Sequence, residues 1–196
     1  MKQTIKTLLA TSASLGMVAG LVLLPTTADA ANTTTVTANV SKSASVSTTS
    51  GAVNLAITPT AAGSFTSASD TVTAGTNSTA GYNLQISSAA PALTNGANTI
   101  AASTGTPAAP LALAVNTWGY RVDGQNGFGA GPTSSQTNTA SLSGTWAGVT
   151  TTATTIKATA AASSNDSTTV WYGAAADFTE PNGAYTASVT YTAVAL

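Results

Sequence analysis

The stretch Tyr185-Thr186-Ala187-Ser188-Val189-Thr190-Tyr191-Thr192-Ala193 decides how the chain is read. Tyr185, Ala187, Val189, Tyr191 and Ala193 share one parity, and Thr186, Ser188, Thr190 and Thr192 hold the other. Side chains alternate across a strand, so this pattern predicts one face on a core and one in water. The same period recurs upstream. Tyr82, Leu84 and Ile86 alternate with Asn83, Gln85 and Ser87, and Val53, Leu55 and Ile57 alternate with Asn54 and Ala56. Trp118, Tyr120 and Val122 alternate with Gly119, Arg121 and Asp123. Val36–Val40, Thr71–Ala74, Leu111–Val115, Ile156–Ala160 and Thr169–Ala176 are further strand candidates. Thr and Val favour pleated, half-exposed surfaces. The Ser/Thr excess alone would suggest a mucin-like stalk, and the two-residue period argues against it.

Turn chemistry separates these runs. Asn95-Gly96, Asp123-Gly124, Asn126-Gly127 and Pro181-Asn182-Gly183 supply residues that tolerate positive φ. No stretch after residue 30 shows a sustained helical stripe, and there is no convincing internal repeat. Eight or nine short strands in one domain predict an all-β fold, an antiparallel β-sandwich. The long Ala/Thr/Gly/Ser segments 88–110 and 124–155 read as ordered excursions at the ends of the sandwich, with a mobile loop as the alternative.

The N-terminus reads as an export signal. Lys2 and Lys6 give a basic n-region, Leu8 through Leu24 an apolar stretch, and Pro25 ends it. Ala28-Asp29-Ala30 then offers the small-x-small pattern of a cleavage site. The expected organisation is a cleaved signal helix, 1–30, followed by a single sandwich domain, 31–196. A retained anchor is the competing reading, because the apolar stretch approaches the roughly 20 residues that span a bilayer. Ser, Thr and Gly dilute it, which favours cleavage. No Cys stands at the cut to carry a lipid, and no second apolar run follows, so the expected location is secreted or at the cell surface, with no membrane contact after cleavage.

The composition of the exported part excludes several functions. It has no His and no Cys, and its charges are Lys42, Asp70, Arg121, Asp123, Lys157, Asp166, Asp177 and Glu180. General bases, thiol nucleophiles and common metal ligands are therefore scarce, and the expectation is no enzyme and no cofactor. Nucleic-acid binding needs clustered Lys and Arg, and three scattered basic residues do not supply it. An acid–base pair would require Asp123 and Glu180 to converge. Asp123, Gln125 and Asn126 form an oxygen-rich loop, but a Ca²⁺ site wants several carboxylates and this one has a single Asp, so a solvated turn is preferred. A Lys–Asn isopeptide bond from Lys42 or Lys157 beside Glu180 lacks an Asn in the last strand. The Asn-x-Ser/Thr matches at Asn32, Asn77 and Asn165 matter only in a glycosylating host.

Two places are candidates for binding. Trp118, Tyr120 and Phe128, beside Asp123, Gln125 and Asn126, are the residue types of a sugar-binding face, in which rings stack and polar groups take hydroxyls. The alternative places Trp118, Trp146 and Trp171 in the core, which strand alternation favours. The second place is the stretch after the cleavage site. Val36, Ala38, Val40, Ala44 and Val46 share one parity and could add to a neighbouring subunit's sheet. The alternative is a first strand paired within its own domain, with Lys42 marking a break or an edge.

The stretch Thr79-Ala80-Gly81-Tyr82-Asn83-Leu84-Gln85-Ile86-Ser87, the Trp118-Gly119-Tyr120 segment and the closing Pro181–Thr192 run resemble bacterial surface β-sandwich proteins, loosely the Trp-x-Leu (WxL) surface domain, whose last strand also follows a Gly-x-Tyr turn. The literal Trp-x-Leu is absent, and Tyr191-Thr192-Ala193 stands where its distal copy would fall. The resemblance implies an immunoglobulin-like or WxL-like sandwich, non-catalytic and attached non-covalently to peptidoglycan or to other surface proteins. The closing strand is also similar to that of secreted pilin domains, which implies a homo-oligomer built through the N-terminal strand. A carbohydrate-binding module using 118–128 is the remaining alternative.

Overall fold

The computed structural model describes residues 32–196, so the signal helix expected over 1–30 lies outside the described residues. The strand-bearing unit is Val40–Leu196, and residues 32–39 carry no strand. Ten strands are present: β1 (Ala44–Thr48), β2 (Ser64–Thr76), β3 (Tyr82–Ser87), β4 (Leu93–Asn95), β5 (Asn98–Ala102), β6 (Thr117–Val122), β7 (Gln136–Thr139), β8 (Thr154–Ala158), β9 (Ser163–Ala176) and β10 (Thr190–Ala195). There is no helix among the described residues.

The strands form two sheets. A seven-stranded sheet runs β1-β2-β9-β6-β5-β4, with β7 also beside β2, and a three-stranded sheet runs β10-β3-β8. Pairing is antiparallel except between β5 and β6, where Ala101 and Ala102 lie parallel to Thr117 and Trp118. A purely antiparallel expectation is thereby corrected. The chain leaves β5 and re-enters beside it through the crossover 103–116, the only way two consecutive strands can run parallel.

One core draws side chains from both sheets. Val72 and Ala74 of β2, Trp118, Tyr120 and Val122 of β6, and Val170, Tyr172 and Ala174 of β9 meet Tyr82, Leu84 and Ile86 of β3 and Ile156 of β8. The arrangement is sandwich-like, and each strand contributes the parity its sequence assigned.

A second apolar cluster lies on the opposite face of the large sheet. Trp171 and Ala175 have the other parity of β9, and with Phe65 they meet Leu113 and Trp146, flanked by Val115 and Leu142. The segment 124–155 is therefore not simply an excursion at one end, because Leu142 and Trp146 roof the outer face of β9. Double cover explains why β9 is buried at every position from Val170 to Ala176. It also explains why Ser64, Thr66, Ser67 and Asp70 of β2 are buried although their sequence reads as polar loop. Buried polar groups need partners, and Thr66, Ser67 and Asp70 have them. The Ser67 hydroxyl accepts from the Gln136 amide at 3.2 Å, and Asp70 Oδ1 accepts from the Ser50 and Thr71 amides at 3.1 and 2.8 Å.

Four expected strands are corrected. Val36–Val40 is exposed and outside any ladder, residues 53–57 and 111–115 form no strand, and the last strand begins at Thr190 rather than at Tyr185. In 53–57 and 185–189 the alternation nonetheless holds, with Val53, Leu55, Ile57, Tyr185, Ala187 and Val189 half-buried and their neighbours exposed. Hydrophobic period fixes which side chains face inward. A ladder further requires a partner backbone, and the bridge Thr94↔Thr186 is the only one either segment has among the described residues.

Candidate functional site

The segment 118–128 folds inward. Trp118, Tyr120 and Phe128 are all nearly or fully buried, at 3%, 0% and 3% exposure. Trp118 stacks on Tyr172 with centroids 6.4 Å apart and donates Nε1 to the Pro91 carbonyl at 2.8 Å. The Tyr120 and Phe128 rings sit tilted at 5.8 Å. The expected sugar-stacking face is corrected, since all three rings are buried against other aromatic side chains and none is available to a ligand. The inward parity of β6 is the cause, and Phe128 follows because its amide donates back to the Gln125 carbonyl in a tight turn. Asn126 takes the positive φ of that turn, at 51°, rather than Gly127. Gly127 serves close approach instead, because a Cβ there would stand 2.9 Å from the Ala108 carbonyl oxygen. Asn126 Nδ2 donates to the Ile156 carbonyl at 3.2 Å and ties the turn to β8.

Arg121 is the residue the sequence under-read. Its parity faces away from the main core, as expected, yet it is fully buried beneath the 129–146 cover. Nε donates to Asp123 Oδ1 at 2.8 Å, Nη1 to the Thr145 carbonyl at 3.2 Å, and Nη2 to the Phe128 and Ala130 carbonyls at 2.9 and 3.0 Å. Its guanidinium also lies 5.9 Å from the Trp146 ring centre. A planar five-donor fork is suited to gathering carbonyls from several loop turns at once. Gly144 is required beside it, because a Cβ there would overlap Nη1 at 1.6 Å.

At the edge of this cover a cleft of about 340 Å³ opens between the ends of β6 and β8 and the middle of β9. Asp123, Gln125, Lys157, Ser167 and Thr169 supply polar groups, and Pro132 and Trp171 supply apolar wall. Its two charges are already committed. Asp123 is held by Arg121, and Lys157 Nζ donates to Asp166 Oδ1 at 2.6 Å and to Thr168 Oγ1 at 3.2 Å. Tyr82 donates its hydroxyl to Asp166 Oδ2 at 2.8 Å. Burial would raise the Asp166 carboxyl, but the hydrogen bonds from Lys157 and Tyr82 and the Lys157 charge together outweigh it and hold it below the usual carboxylate range. Burial, reinforced by Asp166, pushes the Tyr82 phenol above its ordinary value. What remains for a ligand is uncharged: the Gln125 amide, the Thr169 hydroxyl and the Ser167 hydroxyl, which also shares a 3.4 Å hydrogen bond with Thr73 Oγ1.

The other sequence candidates lie apart. Asp123 follows the β6 residue paired with Val170, whereas Glu180 lies beyond Ala176 at the far end of β9. Seven strand residues separate these ends by about 20 Å, well outside the spacing of a carboxylate pair. No group of three or more His, Cys, Asp or Glu that could hold a metal occurs among the described residues. Lys42 Nζ donates to the Leu196 carbonyl at 3.1 Å. Asn77 is a clamp. Its Oδ1 accepts from the Ser43 amide and its Nδ2 donates to the Ser41 carbonyl, both at 2.8 Å. Ala44 and Val46 belong to β1, paired within the chain to Thr76 and Ala74, so for these two residues the intramolecular alternative holds. Val36, Ala38 and Val40 precede the clamp and stay exposed.

Comparison with family models, with curated proteins and with solved structures finds no match.

Proposed function

We propose that the chain is an exported, non-catalytic structural or attachment module, held at the cell surface by non-covalent contact with wall glycan or other surface proteins. The observation that carries this reading is the fate of its charges. Arg121 binds Asp123 and loop carbonyls, Lys157 binds Asp166, and Lys42 binds the Leu196 carbonyl, so the basic groups act as internal fasteners. A surface of Thr, Ser and Asn hydroxyls and amides is left to meet a partner. The resemblance to WxL-type sandwich proteins and the export pattern of residues 1–30 support the same reading, with an immunoglobulin-like variant of the sandwich as its fold. The cleft beside Gln125, Ser167 and Thr169 has the chemistry for a saccharide, since neutral donors and acceptors line it beside the Pro132 wall.

The test is fractionation of a Gram-positive-type host expressing the full chain, followed by pelleting with purified peptidoglycan. The reading expects the processed protein in the wall fraction, released by denaturant but little by salt, because few charges are available to screen. Gln125→Ala with Thr169→Val should weaken pelleting if the cleft is the contact. Recovery with an unprocessed N-terminus in the membrane fraction, or failure to pellet with any wall preparation, would overturn it.

A further inference from the structure

The main core is not closed evenly. Most of its buried members come from β2, β3, β6, β8 and β9, with Ile100, Phe128, Ala147 and Val149 beside them, while the half-buried ones are concentrated in two segments: Val53, Leu55 and Ile57, and Tyr185, Ala187, Val189, Tyr191 and Ala193. Both segments are extended and alternate strictly, and 53–57 belongs to no sheet among the described residues. β10 continues the second segment and is an edge strand, bonded to β3 on one side only. Val194 within it and Leu196 just beyond it are 43% and 41% exposed. An extended, apolar, one-sided edge is a template for another strand unless something blunts it. Lys, Pro and acidic side chains are the usual blunting devices; residues 182–196 contain none, and Lys42 reaches only the Leu196 carbonyl at the strand's end.

The chain carries a segment of matching pattern. Residues 33–41, Thr33-Thr34-Thr35-Val36-Thr37-Ala38-Asn39-Val40-Ser41, have no charge and place Val36, Ala38 and Val40 on one parity. Val36 is 89% exposed and Val40 84% exposed, with no ladder of their own. Successive same-face residues in a strand repeat at about 6.6 Å, so the Val36-Ala38-Val40 row matches the Ala187-Val189-Tyr191 row in pitch. The firm anchor begins only at Ser41–Ser43, where Asn77 holds the backbone.

We propose that residues 33–41 of one copy add as a β-strand along the 184–195 edge of a second copy, where Val36, Ala38 and Val40 complete the half-open core. Backbone pairing supplies affinity and the alternating apolar side chains set the register. Because donor and acceptor are both uncharged, no ion is desolvated in the process. The partner is thus a second copy of this chain, a conclusion that goes beyond the surface-module reading and does not depend on which wall component is bound.

The experiment uses the exported chain as wild type and as Val36→Asp/Val40→Asp, compared by light scattering and by unboiled gels. A synthetic peptide of residues 32–42 is the probe for the acceptor edge. Wild type should form assemblies that dissociate on boiling, and the variant should be monomeric with an unchanged melting temperature, since both positions are exposed. The peptide should bind the variant saturably, and a peptide carrying the same two Asp residues should bind roughly tenfold more weakly or worse. The chain has no Cys, so mixing separate Val40→Cys and Val189→Cys variants should give a disulfide-linked heterodimer under mild oxidation. A monomeric wild type with no peptide binding would overturn the proposal. A Val40→Cys/Val189→Cys chain that closes only on itself would likewise assign the edge to its own arm. Peptidoglycan pelleting of the monomeric variant is read separately, so loss of assembly and loss of wall binding are distinguishable.

Discussion

The outer face of β9 and the β10 flank of the core are built from the same Thr- and Ala-rich sequence, yet one is sealed and the other is half-open. Over β9, Trp146, Leu142 and Leu113 cover Trp171 and Ala175, and buried Arg121 stitches the cover down through carbonyls at residues 128, 130 and 145. Along β10, the residues of one parity meet the core but stay half-exposed, and although β1 lies close by, no second ladder forms on that edge among the described residues. The difference lies in long-range supply rather than in local composition. A chain with few large apolar residues can finish a face only where a loop returns to it.

The most drastic way to break the contrast acts on both flanks at once. Tyr172 of β9 and Tyr191 of β10 share a hydroxyl hydrogen bond across the core. Burial chiefly pushes the Tyr172 phenol up to about 12, with Asp70 adding to it and the Tyr191 hydrogen bond opposing it, and Tyr191 is raised for the same leading reason. A raised folded-state pKa means stability is complete below the unfolded phenol's pKa of about 10 and is lost as pH rises through the folded values. Alkaline titration should therefore leave the fold intact to about pH 10 and then unfold it, with tyrosinate absorbance appearing together with loss of circular dichroism. Tyrosinate absorbance well before unfolding would show that the β10 flank is wetter than its packing implies.

Trp146→Ala should be the costliest single change, at about 3–5 kcal/mol, because a fully buried indole leaves a cavity under the cover. Urea denaturation measures it, and a loss below about 1 kcal/mol would mean that the cover adds nothing to the sheet. Arg121→Met keeps volume but leaves three loop carbonyls without a donor, for a loss of about 3 kcal/mol. Proteolysis should then cut within 129–145 before the rest of the chain. Leu55→Ala in the open flank should cost about 1–2 kcal/mol, less than a fully buried leucine, because the site is already half in water. A larger cost would show that segment to be sealed in solution. Tyr120→Phe closes the series. Its hydroxyl is buried without a partner among the described residues, so removal should be neutral or stabilising by about 1 kcal/mol.

The residues that alternate were legible because burial on one side of a strand leaves a period of two that no other element imitates. Tyr82, Leu84, Ile86, Trp118, Tyr120, Val122, Tyr191 and Ala193 all take the core side their parity assigned. Ser64–Asp70 was not legible, since its polar side chains are satisfied by residues such as Ser50 and Gln136 that are distant in sequence. The candidate glycan residues divided for the same reason. Parity already placed Trp118 and Tyr120 together, but only the packed β9 surface shows that Tyr172 occupies the stacking partner's place. Arg121 reads as an ordinary outward charge, because neither propensity nor period encodes which loop will return over it.

The sequence by itself determined which side chains of its alternating segments face inward, the glycine- and asparagine-bearing turns and the poverty of chemistry, since these follow from local sterics, hydrophobic period and composition. Tertiary structure alone decided which of the alternating segments join a ladder, the strand order with its parallel β5–β6 pair, the inward turn of Phe128, the roof over β9, and the flank left half-open. Those outcomes depend on which distant segments meet. A residue's own neighbours specify its direction, but not what arrives to cover it.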